Sequence, residues 1–117
     1  MKINYYFKNV DSVTEKKEIN VDKSLDLLSF NIDQDIFKID IKNDVLRKEN
    51  NDSLLILKFN KNKKENGSYY IKELDSIFDV KIKTNHKDKE DKYHVNYTMW
   101  LDDELIGDFE LKIEYKE

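Results

Sequence analysis

Residues 92–117 read KYHVNYTMWLDDELIGDFELKIEYKE, and every second letter falls on one apolar face: Tyr93, Val95, Tyr97, Met99 and Leu101, then Phe109, Leu111, Ile113 and Tyr115. Alternation with a period of two marks a half-buried antiparallel strand. Two such runs separated by acidic residues mark a hairpin. A three-residue loop, Asp102-Asp103-Glu104, sets Leu101 against Leu105. It then places Tyr97 opposite Phe109, Val95 opposite Leu111 and Tyr93 opposite Ile113, because directly opposed residues share a face. Strands of about ten residues span about 33 Å, and long, tilted strands are what a small closed barrel requires. The apolar wall reads as a barrel's inner face.

The same alternation runs through the rest of the chain. It is clearest at residues 3–7, 36–41, 53–59, 68–74, 78–84, 93–101 and 105–115, and weaker at 15–21, 27–32 and 44–48. The connections are short and polar: Asp33-Gln34-Asp35, the lysine-rich 61–67 carrying Asn66-Gly67, and the charged 85–92. This pattern predicts an all-β fold, a single antiparallel barrel of about eight strands spanning residues 1–117. Helix signals are confined to the capping-box spacing of Ser12 to Glu15 and to Ser24 ahead of Leu25 and Leu28. The chain has no alanine, a strong helix former, so long helices are not expected.

Composition narrows the function classes. The 25 acidic and 21 basic residues are interspersed and leave a net charge of −4, so there is no basic field to hold nucleic acid. With no cysteine there is no disulfide framework and no thiolate chemistry. The opening MKINYYFKNVDSV lacks the apolar core of a signal peptide, and no stretch nears the ~20 apolar residues of a membrane span. A cytoplasmic protein with no membrane contact is expected. The N-x-S/T triplets at Asn51, Asn66 and Asn96, and the 20 lysines beside a single arginine, read as compositional bias rather than function.

From Val45 to Glu117 the chain resembles the YwiB-like family of small bacterial proteins of unknown function. The likeness is carried by Val45-Leu46-Arg47, by Leu57-Lys58-Phe59 before a turn and by Tyr70-Ile71 after it. It continues through Val80-Lys81-Ile82-Lys83-Thr84 and the terminal VNYTMWLDDELIGDFELKIEY. The resemblance implies a calycin-type β-barrel, lipocalin-like in architecture. It supplies no catalytic residues.

A few residues stand apart. Arg47, the lone guanidinium, suits a bidentate partner: either an anionic ligand group at the barrel mouth or a carboxylate on a neighbouring strand. Tyr93, Tyr97, Phe109 and Tyr115 are the candidates for lumen or mouth, since a tyrosine can bury its ring and leave its hydroxyl for water or a ligand. Trp100 breaks the polar outer series His94, Asn96, Thr98, and the register places Ile106 opposite it. That pair is a candidate partner surface, or is covered by a loop. His86 and His94 lack the ligand spacing of a metal site, and Asp33-x-Asp35 lacks the glycine and terminal glutamate of a calcium loop. Gly67 and Gly107, the only glycines, do not make a phosphate loop. No nucleophile elbow is present.

The expected function is therefore non-enzymatic and cofactor-free. The first reading is a structural or protein-interaction module with a mostly filled lumen. The alternative is a calycin-type binding protein for a small apolar or amphipathic ligand.

Overall fold

A computed structural model describes residues 1–9 and 14–116. It forms eleven strands and, among the described residues, no helix. In chain order they are β1 (Lys2–Asn9), β2 (Thr14–Asn20), β3 (Asp22–Ser24), β4 (Leu27–Ile32), β5 (Asp35–Asp40), β6 (Val45–Glu49), β7 (Ser53–Lys58), β8 (Glu65–Ile71), β9 (Ser76–Asp88), β10 (Lys92–Leu101) and β11 (Glu104–Lys116). Among the described residues no helix is long and apolar enough to cross a membrane.

All pairings are antiparallel, in the order β2-β1-β11-β10-β9-β8-β7-β6-β5-β4-β3. Every neighbour is also a neighbour in sequence except β1 and β11, which pair from Lys2↔Lys116 to Asn9↔Phe109 and join the two ends of the chain. The outermost strands, β2 and β3, flank a single residue, the buried Val21, whose N–H donates to the Met1 carbonyl at 2.9 Å. They are two halves of one bent strand, the first pairing with β1 and the second with β4. The sheet thus curls into a nearly closed barrel. The wall is interrupted only between β2 and β4, where the described residues form no ladder.

The strand count is therefore eleven, not about eight. The three weaker runs are full wall strands, and β3 is an addition whose three residues, Asp-Lys-Ser, are all exposed and show no alternation. Two connections are shorter than expected. Asn66-Gly67 lies inside β8 rather than in a turn: a Cβ on Gly67 would stand 2.2 Å from the Ile56 carbonyl oxygen, so glycine serves close approach of two strands here. The charged 85–92 segment is mostly strand, since β9 continues to Asp88. Ser24 leads into a two-residue turn, Leu25-Asp26, and not a helix. The Ser12 capping position lies outside the described residues, while Thr14 and Glu15 begin β2.

The terminal hairpin carries the expected parity with one correction. Its loop has two residues, Asp102 and Asp103, at φ 47° and 67°, the left-handed pair of a type I′ turn. Leu101 therefore faces Glu104, and Trp100 faces Leu105 rather than Ile106. Met99 faces Gly107, so Ile106 is the extra residue of a bulge. Beyond it Tyr97↔Phe109, Val95↔Leu111 and Tyr93↔Ile113 pair as read from the sequence. A second bulge on the other side of β10 leaves Asn85 between His86↔Asn96 and Thr84↔Tyr97. Bulges bend and twist a strand, and this pair curls the long β9–β11 wall.

Inside, two aromatic groups fill the middle of the lumen. Tyr5, Phe30 and Phe37 meet with centroids 5.0–6.1 Å apart. Phe59, Tyr97, Phe109 and Phe7 meet in series at 5.0–5.8 Å, the first pair tilted and the other two stacked. Gly67→Ala is expected to force the β7–β8 contact apart and cost about 1–3 kcal/mol. A urea midpoint equal to that of the wild type would show that the approach is not constrained.

Candidate functional site

The barrel's two ends differ. One carries the β3–β4, β5–β6, β7–β8 and β9–β10 connections and is sealed by Asp44, which lies in the β5–β6 turn at φ 57° and is 7% exposed. A left-handed position tolerates Asp better than most side chains. Its carboxylate accepts from Lys87 Nζ at 2.7 Å and the Tyr93 hydroxyl at 3.1 Å, and pairs with the Lys89 ammonium at 3.0 Å. Its carbonyl accepts from the Phe59 N–H at 2.9 Å. Burial, and then the Asp44 charge, push the Tyr93 hydroxyl pKa far up, so Tyr93 stays a donor. Beside this group Lys89 also donates to the Ile41 carbonyl at 2.8 Å, and the buried Thr84 hydroxyl accepts from the Asn60 N–H at 3.1 Å. Sequence reading missed Asp44, because its partners stand 43 and 49 residues away.

Among the described residues the opposite end is open. Two adjoining cavities lie there on the inner face. The smaller, of about 180 Å³, reaches down to Tyr5, Phe37, Leu57, Tyr97 and Leu111, and is edged by Glu15, Asp33, Asp35 and Lys48. The larger, of about 390 Å³, is half open and lined by Leu55, Tyr69, Val80, Met99, Leu101 and Ile106, with Lys48, Asn50 and Ser53. Burial raises the hydroxyl pKa values of Tyr5 and Tyr97. Both remain neutral donors at the floor of the smaller cavity. At the rim, Lys17 reaches Asp33 at 3.2 Å, linking β2 to the turn after β4 across the gap in the wall.

The residues singled out from sequence are distributed differently. Tyr97 and Phe109 are stacked in mid-lumen, below the open mouth. Tyr93 and Tyr115 point inward at the sealed end, where Lys23 Nζ lies 5.6 Å over the Tyr115 ring. Arg47 faces outward, exposed, and its guanidinium meets Glu49 of its own strand at 3.4 Å rather than a carboxylate on a neighbouring one. Lys72 completes that surface group, bonding Glu49 at 3.2 Å and the Asn50 carbonyl at 2.8 Å. Trp100 stays on the outer face under Lys64, whose Nζ is 4.5 Å above the ring. Ile106, displaced by the bulge, lines the larger cavity, so the two do not form one patch. His86 and His94 meet edge-on at 5.0 Å, and His94 Nε2 pairs with Glu110 at 2.7 Å. Among the described residues no group of three or more His, Cys, Asp or Glu is disposed to hold a metal ion.

No protein-family model, curated protein or solved structure matches the chain.

Asp44→Asn keeps the turn but removes the charge that gathers two ammonium groups, and should lower stability by about 1–3 kcal/mol. An unchanged urea midpoint would show that the sealed end does not depend on this carboxylate. The hydrogen bond from His94, with its charge and that of Lys112, holds the Glu110 carboxyl pKa below the ordinary value. A lowered carboxyl pKa adds stability that is complete above the unfolded value, about 4.3, and is lost as pH falls through the folded one. The stability gap between wild type and Glu110→Gln should therefore shrink as pH drops below about 5. A gap constant with pH would remove the pair as its cause.

Proposed function

We propose that the protein is a non-enzymatic β-barrel that holds one small apolar or amphipathic ligand in its open mouth. The carrying observation is the larger cavity: about 390 Å³, apolar on most of its lining and reachable from outside. Ligand pockets start at about 300 Å³ and pair apolar walls with a few polar groups. An eight-stranded barrel is only just wide enough for its side chains. Ten strands around the circumference, with β2 and β3 counted as one bent strand, leave room at one end around the same kinds of inward residue.

Packing supports a binding role confined to that end. The sealed half is filled by Ile3, Leu28, Ile39, Ile82, Tyr93 and Ile113, each essentially inaccessible. The YwiB-like resemblance of residues 45–117, with its implied calycin-type architecture, belongs to the same reading. A second reading, a protein-interaction module, draws on the exposed Leu74 (62%), Ile77 (69%) and Leu105 (60%). All three lie at the open end and are apolar side chains with no core role.

Titration with an environment-sensitive amphipathic dye, anilinonaphthalene sulfonate, separates the two. Saturable micromolar uptake, accompanied by a rise in melting temperature, is expected for the wild type. Met99→Trp, which fills the larger cavity from its own wall, should abolish uptake while the variant still melts cooperatively. Uptake unaffected by Met99→Trp but lost on replacing Ile77 and Leu105 with Ser would favour the interaction module.

A further inference from the structure

We infer that the ligand is an amphipathic anion whose head group is held by the ammonium of Lys48; this rests on the binding reading above. Lys48 is placed on the inner face by strand parity. It opposes Phe37 on β5 and Leu55 on β7, whereas its neighbours Arg47 and Glu49 point outward. A charged residue packed between apolar inward neighbours has a desolvation cost, which its partners normally offset. The partners here are few. The Lys48 side chain is 40% exposed and stands 3.6 Å from Asp35, a carboxylate that already accepts a 2.9 Å hydrogen bond from Asn50. Its Nζ is 5.7 Å from the Phe37 ring centroid. An ammonium has three donors, and among the described residues this one has a single long contact with a carboxylate.

Lys48 lines both cavities, and their charge decides from which side a head group comes. The smaller brings Glu15, Asp33 and Asp35 to its edge and repels an anion. Among the described residues lining the larger cavity, Lys48 is the one charged group. An anionic head on that side meets Lys48 without a competing carboxylate, and its tail lies across Leu55, Met99 and Leu101. A cationic amphiphile gains nothing there, and a neutral one only the apolar contact. The sealed end shows the complementary arrangement: an inward carboxylate, Asp44, already saturated by two ammonium groups and a hydroxyl. Among the described residues lining the larger cavity, Lys48 is the cation that faces a head group.

The test is calorimetric titration of the whole chain near neutral pH with decanoate, decanol and decylammonium. Decanoate should bind at least about tenfold more tightly than decanol, the scale of a partly desolvated charge-assisted hydrogen bond, with decylammonium weakest. Lys48→Met should bring decanoate down to the affinity of decanol while leaving decanol within about twofold. Lys48→Arg, which keeps the charge, should retain the preference. Equal binding of decanoate and decanol by the wild type would overturn the Lys48 anchor and leave the binding reading standing. So would a preference that survives Lys48→Met. Failure of all three compounds to bind would overturn both.

Discussion

The ladder between β1 and β11 joins Lys2 to Lys116 and Asn9 to Phe109, and the molecule has an inside only because that ladder forms. Without it the meander from β4 to β11 is an open sheet with one apolar face and no second layer to cover it. With it, Ile3, Tyr5 and Phe7 from the start of the chain meet Leu111, Ile113 and Tyr115 from its end. The same contact is the costliest to reach, because it closes a loop of nearly the whole chain before any contact between the ends repays the entropy. A topology of this kind folds slowly for its size.

Closure transfers the remaining imperfection to one place. An antiparallel barrel needs each strand paired on both sides, and the bent β2–β3 strand shifts partners at Val21. Beyond the short β3–β4 ladder, β2 and β4 diverge and leave a trough of about 550 Å³ lined by Lys17, Glu18, Asn20, Asn31 and Asp33 among others. Unpaired strand edges invite association with other chains. Here the two edges face each other, carry charge and are bridged by Lys17 and Asp33, all of which oppose edge-to-edge pairing.

Much of this was legible in the sequence, for a physical reason. Strand parity is a local property, so the inward sets Tyr93–Tyr97 and Phe109–Tyr115 could be read directly, and ten of the wall strands announced themselves. What escaped depends on distant or exceptional geometry. β3 has no buried residue to mark it. Asn66-Gly67 looks like a turn pair, and only the nearness of Ile56 makes the glycine a strand residue. Asp102-Asp103 takes up left-handed angles more usual for Asn-Gly, and the resulting one-residue slip is absorbed by the Ile106 bulge. Arg47 drew attention by rarity alone, and rarity says nothing about orientation: parity with the inward Leu46 already turns it outward. The same parity turns Lys48 inward, a signal that was present but hidden among the 20 lysines.

Asp44 and Lys48 together give the barrel its polarity. Each is a charged side chain on or beside an apolar lumen, where leaving water must be repaid by a partner. At Asp44 the chain supplies the partners itself from β9, β10 and the turn between them, and the end is locked. At Lys48 the carboxylate within reach, Asp35, stands at 3.6 Å with its other oxygen taken by Asn50, and a cavity lies on either side. The barrel therefore has one end tied by its own buried ion pairs and another whose inward lysine keeps contact with solvent, so stability and accessibility fall at opposite ends of the same wall.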